Sequence, residues 1–460
     1  MLSTFDMAVH NETDVLAEVR QNPSGKVKVA ISDIDGILRG KYLHKDKFLQ
    51  AASSGFGFCN VVFGWDSGDI CYDNIAYTGW HSGYPDALAR VDLSTYRRVP
   101  WDREVPFFLA DFPHDDPARP RVPCPRRLLR DVLHRATELG FTAKAGLEFE
   151  WFNFKETPAA LAERGHTAPR PLSPGMFGYS LLRMSQNSDY FNALMDELAA
   201  FRVPIEGLHT ETGPGVFEAA ILYSDALEAG DRATLFKASA KEIGHRFGIM
   251  PSFMAKWSEK LPGCSGHTHL SLWRGDSNAF FDDSDPHKMS ATMKSFIAGV
   301  LTLLPDILPF FAPTVNSYKR LVDGYWAPTK PTWGIDNRTV AIRVIPGSAK
   351  STRVEVRVPG SDVNPYLALA GAIAAGVYGV VSGLELDTPA VTGSAYTESS
   401  APRLPRDLGE ATERLARSEL ARTLFGASFV DHFVATRRWE WRRYQDAVTD
   451  WELARYFEIV

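Results

Sequence analysis

Three short segments of this chain alternate apolar and ionisable residues with a period of two, and that spacing admits few folds. In GLEFEWF, Glu148 and Glu150 fall on one face of an extended strand, Phe149 and Trp151 on the other. The same holds for His267 and His269 in GHTHLSL, and for Arg353, Glu355 and Arg357 against Val354, Val356 and Val358 in TRVEVRV. In ETGPGVFE, Glu211 and Glu218 flank a Gly-Pro-Gly turn, so a hairpin there brings both carboxylates together. Any one segment alone reads as a half-exposed strand whose polar face meets water. Together, with aromatics and valines on the opposite faces, they imply strands packed on a core with their polar faces converging on one cavity. Clustered carboxylates repel, raise one another's pKa values and require cations nearby. An oxygen-rich set with an imidazole suits Mg²⁺ or Mn²⁺ better than zinc. Divalent metal beside surplus arginine is the equipment of phosphoryl transfer.

The 460 residues suffice for roughly two to three domains. Residues 26 to 44 alternate around Asp35-Gly36, which predicts a β-hairpin. The following stretch reads as strand and turn up to the Pro-laden segment of residues 111 to 126, a domain boundary. We expect an α+β chain with a smaller domain at 1–118 and a larger one at 119–460. Helical patterns run over 126–139, 187–201 and 231–247, and residues 156–175 read as a loop or flap.

Net charge is −6 with no dominating basic run, so the footprint needed for nucleic acid is missing. The four cysteines show neither CxxC nor zinc spacing, and the start MLSTFDMAVHNETD lacks the pattern of an export signal; a cytoplasmic setting is expected. The apolar run Leu367 to Val381 falls short of the ~20 residues that span a bilayer and reads as a buried helix, so no membrane partner is expected. GSAKST, residues 347 to 352, lacks the second glycine and strand-to-helix context of a P-loop.

Together with HTETGPGVFE, GCSGHTHLSL, NSYKRLVDGYWAP, NRTVAIRV and STRVEVRVPGSDVNPYLALA, these segments make the chain resemble the glutamine synthetase family, class I type, over nearly its whole length. The resemblance implies an amino-terminal β-grasp domain, a catalytic domain on a curved antiparallel sheet with surrounding helices, and a homododecamer of two hexameric rings. It implies that Glu150, Glu211 and Glu218 bind one metal ion and Glu148, His267 and Glu355 a second. Arg320, Arg357 and Gly263, with Glu150, are then the glutamate site; Arg338 and Arg343 stabilise the transferring phosphoryl. Tyr223, His269, Ser271, Lys350 and Arg353 correspond to positions around ATP. Asp33, from a neighbouring subunit, matches the aspartate that deprotonates the incoming amine, and Tyr179 a tyrosine of the same pocket. The implied reaction phosphorylates the γ-carboxylate of glutamate with ATP, after which an amine displaces phosphate.

Three positions depart from the family pattern. Glutamine-forming members read GYEAP where this chain reads GYWAP, so Trp326 replaces an anion that helps to hold ammonium. Pro262 stands for an asparagine and Val216 for a glutamine. An indole offers ammonium little beyond a modest cation–π attraction, whereas it offers an alkyl group apolar surface at about 0.8 kcal/mol per buried methylene. The expected nucleophile is therefore a small primary alkylamine, as in the γ-glutamylisopropylamide and γ-glutamylmethylamide synthetases. The alternatives are ammonia, a polyamine or aromatic amine, and a catalytically silent structural paralogue.

Overall fold

The computed structural model describes residues 11–114, 120–398 and 400–460. The start of the chain, read above for export signals, and the boundary drawn at 118/119 lie outside these residues.

Ahead of that boundary, five strands form one sheet: β1 (Lys26–Ser32), β2 (Leu38–His44), β3 (Phe56–Cys59), β4 (Asp86–Val99) and β5 (Val105–Asp111), in the order β2-β1-β5-β4-β3. β1 and β2 are the antiparallel hairpin expected from residues 26 to 44, while β5 runs parallel to β1. The sequence reading of strand and turn after the hairpin is corrected at Lys45–Ser54, which is a helix. Only Phe48 and Ala51, three residues apart, are buried on it, too short a stripe to declare a helical period. Tertiary packing decides the matter: Phe48 stacks on Phe108 of β5 with ring centroids 4.7 Å apart.

The second sheet follows the order β13-β14-β15-β11-β6-β8-β7. Its strands are β6 (Thr142–Phe154), β7 (Ile205–Thr210), β8 (Val216–Ile221), β11 (Gly266–Arg274), β13 (Trp333–Ile335), β14 (Ile342–Ile345) and β15 (Arg353–Val356). The short strands β9 (Ser224–Asp225) and β10 (Met250–Ser252) pair with β6, and β12 (Ser277–Asn278) with β11. The pairing is antiparallel except between β13 and β14.

Period two decides which face of this sheet is dry. Leu147, Phe149 and Trp151 of β6 and Val354 and Val356 of β15 are fully buried. Phe149 stacks parallel to Phe236 of the helix Ala226–Arg246 at 6.1 Å, and Trp151 meets Phe217, Phe236 and Phe253. Helices Pro125–Glu138, Ser188–Ala200 and Ala226–Arg246 match the three predicted helical patterns within a few residues. Leu367 to Val381 lies within the buried helix Pro365–Val381, and no helix among the described residues is long and apolar enough to cross a membrane. The segment 156–175 contains a short helix, Pro158–Glu163, and is tied down at both ends by Lys155 N–H to the Arg170 carbonyl and Leu172 N–H to the Asn153 carbonyl.

Candidate active site

The register of the large sheet lines the ionisable groups up across it. Glu150 pairs with Glu218, Glu148 with His267, His269 with Glu355, and Glu355 with Arg343. Like charges placed directly opposite one another on neighbouring strands destabilise a sheet, so the Glu150/Glu218 pair requires a cation. The Gly-Pro-Gly turn adds Glu211: the ligand oxygens of Glu150, Glu211 and Glu218 all lie within 4.8 Å of one another. A second group, Glu148, His269 and Glu355, is equally tight, and His267 Nδ1 lies 3.3 Å from both Glu148 Oε1 and Glu355 Oε1.

The electrostatics of the two groups differ. Burial, reinforced by Glu148 and Glu150, pushes the Glu218 carboxyl up to about 8, and burial with Glu150 raises Glu211. Burial would also raise Glu355, but His267 and the Arg357 guanidinium outweigh it and hold it at about 2. Glu148 is held well below its ordinary value against burial by hydrogen bonds from His267 and His269. Arg343 Nη1 donates to Glu355 Oε2 at 2.9 Å, and Arg357 is bonded to Glu355 Oε1. One carboxylate group is thus short of positive charge, while the other is framed by it. The oxygen-rich donors fit hard divalent cations at both places.

Around these groups lies a cavity of about 490 Å³ lined by Glu148, Glu150, Tyr179, Glu211, Glu218, Gly263, His267, Arg320, Trp326, Arg338, Arg343 and Arg357. Next to it, a cavity of about 260 Å³ holds Tyr223, Ser271 and Lys350, and Glu148, His269 and Arg353 belong to both. All of the sequence-predicted site residues except Asp33 are thereby brought together; Glu355 sits buried behind the wall between Arg343 and Arg357. A further cavity, about 930 Å³, lies elsewhere, between the β1–β2 hairpin and the helix Ala226–Arg246.

Two positions in the site depend on backbone shape. A Cβ on Gly263 would stand 2.4 Å from the Ala255 carbonyl and 2.8 Å from Arg320 Cγ, so only glycine lets the loop lie along the buried Arg320. Trp326 and Tyr179 hold φ of 61° and 55°, a left-handed conformation rare for aromatic residues. Both are largely exposed and face the same cavity. Strain of this kind, on the order of 1–3 kcal/mol per residue, is characteristic of ligand-handling loops.

Asp33 lies outside both cavities of its own chain. It is 3% exposed, its Oδ1 accepts from Asp35 N–H and Ile37 N–H at 3.0 and 2.9 Å, and its Oδ2 accepts from Arg39 Nε at 2.9 Å. The carboxylate accepts all three bonds within its own hairpin and lines neither cavity of this chain; the role implied for it lies in a neighbouring subunit's cavity. The sequence reading missed His209, whose ring stacks on Tyr179 and whose Nε2 lies 3.6 Å from Glu218 Oε1. Its one available signal was its place two residues before Glu211. Asp336 was also missed; it holds Arg343 Nε at 3.0 Å.

A family model for the glutamine synthetase catalytic domain matches residues 122–456. The chain belongs to the glutamine synthetase family. It is 55% identical to a type-1 glutamine synthetase 2 of Dictyostelium discoideum over 97% of this chain and 86% of that protein. It is 36% identical to a glutamate–isopropylamine ligase of a Pseudomonas species, over 94% of this chain and 95% of the relative. It is 38% identical to a gamma-glutamylethanolamide synthetase of Streptomyces coelicolor, over 94% and 92%. Among solved structures, a GmaS/ADP complex superposes with a TM-score of 0.83 at 27% identity, over 97% of this chain and 99% of that one. As a member of this family, the protein is an ATP-dependent ligase that forms γ-glutamyl amides, in a family that uses ATP and divalent metals.

Proposed function

We propose that this glutamine synthetase homologue joins the γ-carboxylate of L-glutamate to a small primary alkylamine through a γ-glutamyl phosphate. The observation that carries the reading is Trp326: an indole held in a left-handed loop lines the cavity that contains Glu150, Glu211, Arg338 and Tyr179. A carboxylate there would favour ammonium; an indole favours carbon. Complementary contacts of this kind discriminate single methylenes by roughly 1–3 kcal/mol.

In this scheme Arg320, Arg357 and Gly263 seat glutamate, with Glu150 beside them. Tyr223, His269, Ser271, Lys350 and Arg353 enclose ATP in the adjoining cavity. Arg338 and Arg343 neutralise the phosphoryl group as it passes to the γ-carboxylate, which makes phosphate the leaving group when the amine attacks. Two or more Mg²⁺ or Mn²⁺ ions would supply charge neutralisation, one held by Glu150, Glu211 and Glu218, another by Glu148, His267 and Glu355. His267 is favoured over His269 because His269 Nδ1 accepts from Arg353 Nε at 3.2 Å, which leaves its proton on Nε2, facing Glu148. Asp33 of a neighbouring subunit would take the proton from the incoming amine.

We further propose that the chain divides at 118/119, works in the cytoplasm, and assembles as a homododecamer. Large apolar side chains near its carboxy terminus, Trp451, Phe457 and Ile459, are exposed in the single chain and suit burial against another copy. Ammonia is the second reading, favoured by the 55% identity to a relative named as a glutamine synthetase. The deciding experiment measures glutamate-dependent ADP release with ammonium, short alkylamines, polyamines and aromatic amines, with products identified by mass. A kcat/KM for ammonia equal to or above that for every alkylamine overturns the proposal; ADP release with none of them would favour the silent paralogue.

A further inference from the structure

Tyr179 is 68% exposed, yet its loop is fixed at several points. Its own N–H donates to the Thr210 carbonyl at 2.7 Å, and the next N–H, of Ser180, donates to Thr210 Oγ1 at 2.9 Å. The phenol ring then lies flat on the imidazole of His209, with centroids 4.3 Å apart and planes 22° from parallel. His209 is itself anchored at one nitrogen and faces a carboxylate with the other. Nδ1 is 3.0 Å from the Thr210 carbonyl, and Nε2 faces Glu218 on the paired strand. An exposed phenol in a strained backbone conformation is thus immobilised by a half-buried ring that is anchored to the sheet.

We infer that His209 is a positioning residue for the amine: its ring holds the Tyr179 phenol as a fixed wall of the cavity that Trp326 also lines, and so sets the alkyl group that fits. This rests on the alkylamine reading proposed above. His209 does not touch the reacting atoms; it acts through Tyr179, and its link to Glu218 serves to orient the imidazole.

The test uses the full-length enzyme and four forms: wild type, His209→Ala, His209→Phe and the double variant His209→Ala/Tyr179→Ala, beside Tyr179→Ala as reference. Phenylalanine keeps a ring for stacking but cannot meet Glu218. Losing the stack should raise KM for the preferred amine about tenfold in His209→Ala, with KM for glutamate and for ATP unchanged within about twofold. His209→Phe should restore the amine KM, and the double variant should be no worse than Tyr179→Ala alone. If His209→Phe behaves like His209→Ala, or if KM for glutamate moves with it, the residue acts through Glu218 and the inference fails. It fails equally if the losses from His209→Ala and Tyr179→Ala multiply. The wild-type amine panel, run alongside, keeps the two claims apart: preference for ammonia overturns the alkylamine reading, whereas alkylamine preference with an unmoved KM in His209→Ala overturns the role of His209.

Discussion

Arg126 and Asp231 meet through two parallel hydrogen bonds, Nε to Oδ1 and Nη2 to Oδ2, each 2.8 Å long, in a place closed to water. The same guanidinium reaches Asp111 of β5 at 2.9 Å and Asp92 of β4 at 2.8 Å, and the Tyr366 hydroxyl donates to Asp231 at 2.8 Å. One arginine therefore ties the first sheet to two helices behind the second. Asp231→Ala leaves a buried guanidinium face unpaired and should lower the unfolding free energy by about 3–5 kcal/mol, read as a shift of the urea midpoint. A shift below about 1 kcal/mol would show the tie to be redundant.

Metal binding should release a proton. Glu218 sits near 8 in the metal-free chain, so it is largely protonated at neutral pH, while a coordinating carboxylate must be ionised. Affinity for Mn²⁺ should therefore climb as pH rises from 6 toward 8 and level off above. Calorimetry in buffers of different ionisation enthalpy would detect the proton; Glu150→Gln with Glu218→Gln should remove one class of bound ion and leave the other.

Trp326→Glu restores an anion beside Tyr179 and removes apolar surface. The ratio of kcat/KM for alkylamine over ammonia should fall by about tenfold or more, measured by competition. An unchanged ratio would take the indole out of the specificity argument.

Asp33 gives a stability profile of defined sign. Burial first, and then Asp35, push its carboxyl up to about 7 from an ordinary value near 3.9. The folded state thus holds the proton over a range where the unfolded chain has lost it. Stability is fullest below pH ~4 and falls as pH rises through ~7. Asp33→Asn should flatten this fall and, by removing the base proposed for the neighbouring subunit's site, lower kcat/KM for the amine; thermal unfolding between pH 5 and 8 reads the first and steady-state kinetics the second.

Trp451→Ser combined with Phe457→Ser should lower the particle mass seen by sedimentation equilibrium without changing the far-ultraviolet circular dichroism of the subunit. Both side chains stand in water in the isolated chain, so their loss costs little there. An unaltered particle mass would place the subunit contacts elsewhere.

Much of the site was legible because alternation with period two carries its own geometry. Once Phe149 and Trp151 are placed in a core, Glu148 and Glu150 must point the other way, and the same logic orients His267, His269 and the Arg353 to Arg357 face. What stayed hidden was the partner of each group. Asp33 and Glu211 look alike as isolated letters; one spends its oxygens on three donors of its own hairpin and the other points into the cavity. His209 was silent because a stack depends on the FGYS loop folding back onto the end of β7, a contact across some thirty residues that no local pattern encodes. The helix Lys45–Ser54 escaped because its apolar stripe is only two residues long and its stability comes from Phe108.

The alternation of β6 also ties correct folding to turnover. A slip of a single residue between β6 and β11 would drive Glu148 and Glu150 into the hydrocarbon interior and push Phe149 and Trp151 out into water, erasing core and chemistry together. A compact but inert population with that error has nothing to hold it together, so recovery of activity after denaturation should track recovery of tryptophan burial one for one.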